Sequence, residues 1–280
     1  MDEIKLKSFA KVNIGLKVIN KRKDGFHNIH TLFQEVDFHD VLLLKKMHSG
    51  CTFSSNVKWL RNDESNLCVR AWRYILRNYD IDGVLIQLQK NIPPGSGLGG
   101  GSSNAATVLK GLSALYDLNL SKEDLCSIGS LLGADVPFFI NGGCQIGNGI
   151  GDRLSSLDNF LKGTYLLVIP KIQIDTKWAY KKFNLFLESS AEVINFADFI
   201  EKDNVLFEFF ENDFEKIIVP AYPEIGLIKN ALLKEGAFFS SLSGSGSTVF
   251  GVFDDDAKAI SAKSVLMSSY QTFIAHPIIK

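Results

Sequence analysis

Residues 91–106 read NIPPGSGLGGGSSNAA, with five glycines packed into positions 95–101. Glycine takes left-handed backbone conformations at no steric cost and lets a main chain approach a ligand closely. The stretch before the loop, 84–88, alternates apolar and polar residues as a strand does, and 105–116 is apolar at helical spacing. The order is strand, glycine loop, helix, with Ser102, Ser103 and Asn104 as natural N-caps. Such a loop aims backbone N–H groups at an anion, and the helix start adds about half a positive charge. A flexible linker is the bland alternative, but linkers are seldom flanked by a strand and an apolar helix. The loop therefore reads as a phosphate cradle, with Pro93, Pro94, Gly95, Ser96, Gly97, Leu98, Gly99, Gly100, Gly101, Ser102 and Ser103 as the nucleotide-binding candidates.

Two better-known phosphate motifs fit poorly. Residues 95–100 satisfy G-x-G-x-x-G, but Pro93 and Pro94 lengthen the turn. The nearest acidic residue at ribose distance, Asp117, has no strand before it. The P-loop pattern fails because Gly101 stands where its lysine should be.

The rest of the chain sets the context. Residues 4–19 alternate as a half-buried strand, and an Asp-Gly turn within 21–27 leads to a second strand over 29–38. Short strands follow at 41–46 and 51–53, then a helix at 66–79. A helix capped by Ser121 ends near Gly133, and 142–150 reads as a strand meeting a glycine turn. The polar stretch 152–163 is taken as a domain junction, giving domains 1–155 and 156–280. Beyond it the pattern predicts strands at 164–169, 238–241, 248–253 and 271–276. Helices are predicted at 176–183, 196–201, 221–234 and 256–267.

A net charge of −1 gives no general field toward nucleic acid or anionic lipid. No apolar run approaches the ~20 residues of a membrane span, and the N-terminus lacks a secretory pattern, so neither nucleic acid nor membrane is expected as a partner. Four cysteines without metal spacing read as buried free thiols of a cytoplasmic protein. Nothing in the sequence specifies an oligomeric state.

Five segments along the chain carry a family resemblance. Residues 93–106 resemble the nucleotide loop P-x-G-x-G-L-G-S-S-A-A of the GHMP kinases. Residues 9–16 (FAKVNIGL), 22–27 (RKDGFH) and 133–139 (GADVPFF) resemble the N-terminal, hairpin and G-[AS]-D-V-P-F-F motifs of one branch of that family, and 242–251 (LSGSGSTVFG) its glycine-rich third motif. That branch transfers the γ-phosphoryl group of ATP to the 2-hydroxyl of a cytidine-diphosphate-linked methylerythritol, in non-mevalonate isoprenoid synthesis. The resemblance implies a two-domain α+β fold. Its N-terminal nucleotide-binding domain would be of the ribosomal protein S5 domain 2-like type and its C-terminal domain ferredoxin-like, with the active site in the cleft between.

The resemblance also implies residue roles. Asp135 would be the base that takes the hydroxyl proton, and Lys11 would hold it ionised and stabilise phosphoryl charge. Magnesium would bridge the phosphates with a hydroxyl from Ser102 or Ser103, Ser103 being the candidate carried forward. Phe26, where the family has tyrosine, would stack on the cytosine, His27 would read its edge, and Asn13 would touch the substrate. Trp178, Tyr180 or Phe183 could face the other side of the base, and the loop 243–247 could line the site as a backbone nest. Two alternatives stay open: another kinase of the family, of homoserine or mevalonate type, and a nucleotide-binding protein without phosphotransfer.

Overall fold

The computed structural model describes residues 1–157, 162–186, 195–200 and 205–279. In chain order the elements are β1 (Glu3–Lys21), β2 (His27–Met47), β3 (Cys51–Ser55), α1 (Leu67–Asn78), β4 (Gly83–Gln89), α2 (Gly100–Leu115), α3 (Lys122–Leu132), α4 (Val136–Asn141), β5 (Cys144–Asn148), β6 (Arg153–Leu157), β7 (Thr164–Ile169), α5 (Thr176–Phe183), α6 (Glu215–Ala221), α7 (Pro223–Lys234), β8 (Phe239–Leu242), β9 (Val249–Phe253), α8 (Asp256–Leu266) and β10 (Gln271–Ala275). Mixed helix and sheet throughout meets the α+β expectation.

The chain divides into two compact units. One comprises Met1–Ala10, His39–Pro94 and Gly99–Gly142; the other comprises Lys11–Phe38, Gly95–Leu98 and the described residues from Gly143 onward. Strands β1 and β2 and the glycine loop each contribute to both.

In the first unit the end of β2 runs antiparallel to β4, from Val41 opposite Gln89 to Met47 opposite Gly83, and β3 lies parallel to β4. Helix α2 approaches closely because its inner face is small: a Cβ on Gly111 would lie 2.4 Å from Leu44 Cδ1. Leu42, Leu44, Val84, Ile86, Val108, Leu109 and Leu112 are fully buried there, the main source of stability for an apolar-faced sheet and helix.

In the second unit β2 pairs with β5 from Thr31 opposite Gly147 to Gln34 opposite Cys144, and β5 pairs with β6. A separate antiparallel sheet has the order β10, β7, β9, β8. Leu166, Val168, Leu242 and Val249 from that sheet share a core with Phe214, just ahead of α6, and with Ile218, Ile225, Leu232 and Ala259 from its helices.

Several boundaries differ from expectation. The strands expected at 29–38 and 41–46 are one strand, β2, because the polar Asp40 is buried and hydrogen-bonded rather than turned to solvent. The junction stretch contains β6, an exposed strand paired on β5, and 158–161 lie outside the described residues. Helix α2 starts at Gly100, so Ser102 and Ser103 sit in its first turn and the cap is Gly99. The helix expected from 221 begins at Pro223, where proline suits a first turn, and α6 precedes it. At 196–201 a 3₁₀ turn covers Phe196–Phe199, while Glu201 lies outside the described residues.

The cysteines are free, as expected, but only Cys68 and Cys144 are buried; Cys51 and Cys126 are half-buried. Burial pushes the Cys68 thiol up to about 12 and the Cys51 thiol up to about 11. Among the described residues no helix is long and apolar enough to cross a membrane.

Candidate active site

The glycine loop uses its glycines where their freedom is required. Gly95, Gly97 and Gly99 all take positive φ, at 61°, 79° and 70°. Gly99 caps α2 in the left-handed conformation, with no side-chain hydrogen bond closing the helix end. The first helical bond, from Ser103 N to Gly99 O at 2.9 Å, starts the ladder, and the first amides of a helix have no partner within it, the condition that lets a helix start hold an anion. Pro94, Gly95 and Gly101 are exposed and Pro93 is half-buried, while Ser96, Leu98 and Gly100 are buried. The loop thus grips the protein with alternate residues and presents the others.

The two serines separate. Ser103 Oγ is buried and shares a 2.8 Å hydrogen bond with Ser8 Oγ, whereas Ser102 is half-buried at the same helix end. A Cβ on Gly133 would lie 3.9 Å from Ser102 Oγ, so the segment leading to Asp135 runs beside the first turn of α2. Asp135 is the half-buried residue ahead of α4 and makes no capping hydrogen bond to it. Among the described residues no cluster of three or more His, Cys, Asp and Glu side chains could hold a metal. The Ser102 hydroxyl, a hard oxygen donor at the helix start, is the group that fits magnesium.

The second unit carries the middle of the loop. Lys11, 4 % exposed, donates from Nζ to Gly97 O at 2.8 Å and to Asn13 Oδ1 at 2.5 Å. The ammonium also lies 5.4 Å from the centroid of the Phe33 ring. A buried cation persists only with such partners. Asn13 in turn donates from Nδ2 to Thr31 Oγ1 at 2.8 Å, so its carboxamide orients the lysine.

The third glycine-rich segment packs onto the same residues. Ser243 Oγ donates to Gly97 O at 2.9 Å, and Thr248 N donates to Ser96 O at 3.1 Å. The approach is tight: a Cβ on Gly97 would lie 2.1 Å from Ser243 O.

Asn212 and Glu215, which sequence reasoning missed, shape this segment. Asn212 Nδ2 donates to the carbonyls of Leu242 and Gly244 at 2.7 and 2.8 Å, and Glu215 Oε1 accepts from Leu242 N at 2.8 Å. Their signal was the acidic start of α6, a helix the apolar periodicity did not reveal.

At the hairpin turn Phe26 is 59 % exposed, a ring available for stacking. His27 is buried and stacks on Tyr180, with centroids 4.7 Å apart and planes 20° from parallel. Its Nε2 pairs with Asn184 Oδ1 at 2.7 Å. Of the three candidate aromatics, Phe183 belongs to the core and both Trp178 and Tyr180 pack against it; Tyr180 also stacks on His27. His30, to which no chemistry was assigned, accepts at Nε2 from Phe196 N at 2.9 Å, which puts its proton on Nδ1, 2.8 Å from Asn148 Oδ1.

Comparison with known proteins yields matches along the whole chain. Residues 66–143 match the model of the GHMP kinases N terminal domain and 192–271 that of the GHMP kinases C terminal. A protein of Prosthecochloris aestuarii named 4-diphosphocytidyl-2-C-methyl-D-erythritol kinase is 38% identical, over 97% of this chain and 96% of its own. A protein of the same name from Acetivibrio thermocellus is 35% identical, over 99% and 100%. A crystal structure of 4-(cytidine 5'-diphospho)-2C-methyl-D-erythritol kinase superposes with a TM-score of 0.83 at 29% identity, covering 98% of this chain and 99% of that one.

Proposed function

Because this chain belongs to the GHMP kinases, in the branch named for 4-diphosphocytidyl-2-C-methyl-D-erythritol, we propose a role for each residue of its candidate site. The enzyme phosphorylates the 2-hydroxyl of that cytidine-linked alcohol with ATP as donor, giving the 2-phosphate and ADP, a step of non-mevalonate isoprenoid precursor synthesis. One observation carries the reading: the Lys11 ammonium bonds to the Gly97 carbonyl at 2.8 Å. A cation is thereby built into a loop that has no lysine of its own.

An alcohol is almost un-ionised at neutral pH, so its attack on phosphorus needs a base that accepts the proton as the new P–O bond forms. The carboxylate of Asp135 takes that proton, while the bond to the β-phosphate breaks and ADP departs. Lys11 offsets the negative charge that moves during transfer, and the amides at the start of α2 hold the phosphates in line. Magnesium, when bound, neutralises phosphate charge; Ser102, rather than Ser103, supplies the protein hydroxyl. Phe26 stacks on the cytosine, His27 reads its edge, and Asn13 contributes by fixing Lys11. Along the sequence, 1–155 is assigned as the nucleotide domain and 156–280 as the C-terminal domain, a boundary that falls between the stretches matching the two family models, although Lys11–Phe38, Gly95–Leu98 and the described residues from Gly143 onward group with the second compact unit.

The test is ADP release with the cytidine substrate beside mevalonate and homoserine. Turnover is expected with the first alone, and Asp135→Asn should lower kcat by about 10²–10⁴ without unfolding the protein. Preference for another alcohol would remove the substrate reading. Parental turnover in Asp135→Asn would remove the base.

A further inference from the structure

The first unit contains a buried ion pair outside the reacting groups: Lys90, just past β4, against Asp40 in β2, 8 % and 0 % exposed. Asp40 is the hub of a network. Its Oδ1 accepts from the main-chain N–H of Asn91 at 2.6 Å and of Ile92 at 2.8 Å. Its Oδ2 accepts from the Lys90 ammonium and from Asn104 Nδ2, the latter at 2.8 Å. Asn104 lies in α2 and also donates to Ser8 Oγ at 2.9 Å. A single carboxylate is therefore bonded to the backbone immediately before the glycine loop and to the helix immediately after it.

We propose that Asp40 is a positioning residue for the phosphate cradle, holding the two ends of the loop at the spacing that a nucleotide's phosphates require. The inference rests on the reading of that loop as the ATP site. Lys90 has a separate part. An uncompensated carboxylate beneath a helix start would repel phosphate, and the ammonium cancels it there: a Cβ on Gly100 would come within 2.8 Å of Lys90 Nζ. Burial pulls Lys90 below the ordinary lysine range while Asp40 opposes that shift, so the two charges depend on each other. A glycine loop is floppy by composition, and ordering it in advance removes an entropic cost from ligand binding.

Removing one charge would strand the other. The informative variants are therefore Asn104→Ala, which cuts the link to α2 and keeps the pair, and Asp40→Asn/Lys90→Met, which removes both charges together. Calorimetric titration with ADP and with adenosine, plus KM for each substrate, reads the outcome. The expected result is a loss of ADP affinity and a rise in ATP KM of about tenfold or more, with adenosine affinity and the alcohol KM within about twofold of the parent. ADP affinity unchanged in both variants, or all four quantities falling off together as in general loosening, overturns the proposal. If the double variant does not fold, Asn104→Ala decides by the same criteria. A parent that binds ADP but phosphorylates no cytidine alcohol would sink the kinase reading and leave this one standing; a parent that binds no nucleotide would sink both.

Discussion

The Lys11 ammonium donates to the Gly97 carbonyl at 2.8 Å and to the Asn13 carboxamide oxygen at 2.5 Å, so a residue near the N-terminus is pinned to the centre of the glycine loop. Lys11→Met removes the charge and leaves the Gly97 carbonyl with Ser243 Oγ as its remaining side-chain donor, and kcat is expected to fall by about 10²–10³. Asn13→Ala keeps the charge but frees its direction, so a smaller loss, about tenfold, should appear in kcat with both KM values little changed. Steady-state kinetics on protein with a parental circular dichroism spectrum checks the ranking; equal losses in the two variants would contradict it.

Gly97→Ala tests the clamp on the loop. The residue sits at φ 79°, where an L side chain costs about 1–2 kcal/mol, and the new methyl would lie 2.1 Å from Ser243 O. The loop must move. ATP KM should rise by roughly tenfold or more, since misplacement of about 1 Å can cost a hundredfold. Gly95→Ala meets nothing within 4 Å although its φ is also positive, at 61°. It should cost less, and the reverse order would refute the steric account.

Base recognition divides between Phe26 and His27. Phe26→Ala should raise KM for the cytidine substrate by about 5- to 100-fold, the range expected from a lost aromatic stack of about 1–3 kcal/mol, and Phe26→Tyr should change it little. His27→Ala also loses the ring that stacks on Tyr180 and should affect the same KM while sparing that for ATP. Substrate kinetics with both alcohol and nucleotide varied would expose an error in either assignment.

A pH effect on stability is expected at His276. His276 lies between Asp256, at 2.9 Å, and Asp37, at 3.4 Å, and these carboxylates raise its pKa, Asp256 most. A raised folded pKa means that the contribution is complete below the unfolded value of about 6.5 and is lost as pH climbs through the folded value. Asp256 has the opposite sign: hydrogen bonds from Thr164 and His276 lower its pKa, so its part fades as pH falls through the acidic range. His276→Asn should reduce the melting temperature by about a degree or two at pH 5.5, because the pair is half-exposed and screened. The difference should shrink by pH 8.5; one that grows with pH would show the sign to be wrong.

Local pattern made much of this protein legible. The β1–β2 hairpin was readable from alternation and its Asp-Gly turn, the glycine loop from composition, and α3 from Ser121 and Asp124, which form a full capping box. What escaped depends on partners distant in the chain. Asp40 fell unassigned between two expected strands because nothing near it announces Lys90 or Asn104. Ser103 looked as free as Ser102 until Ser8, 95 residues away, was placed against it. β6 read as a linker because its residues are mostly exposed and its evidence for being a strand is the backbone of β5. Helix α6 carries Pro220 inside it, and propensity argues against a helix there.

The bare start of α2 has a further bearing, on survival rather than on turnover. That helix end has no capping side chain, so a nucleotide bound there would double as a missing part of the native state. By mass action a ligand at one hundred times its dissociation constant adds about 2.7 kcal/mol of resistance to unfolding. Resistance to proteases that attack the unfolded chain would then rise with the concentration of whichever nucleotide fills the cradle.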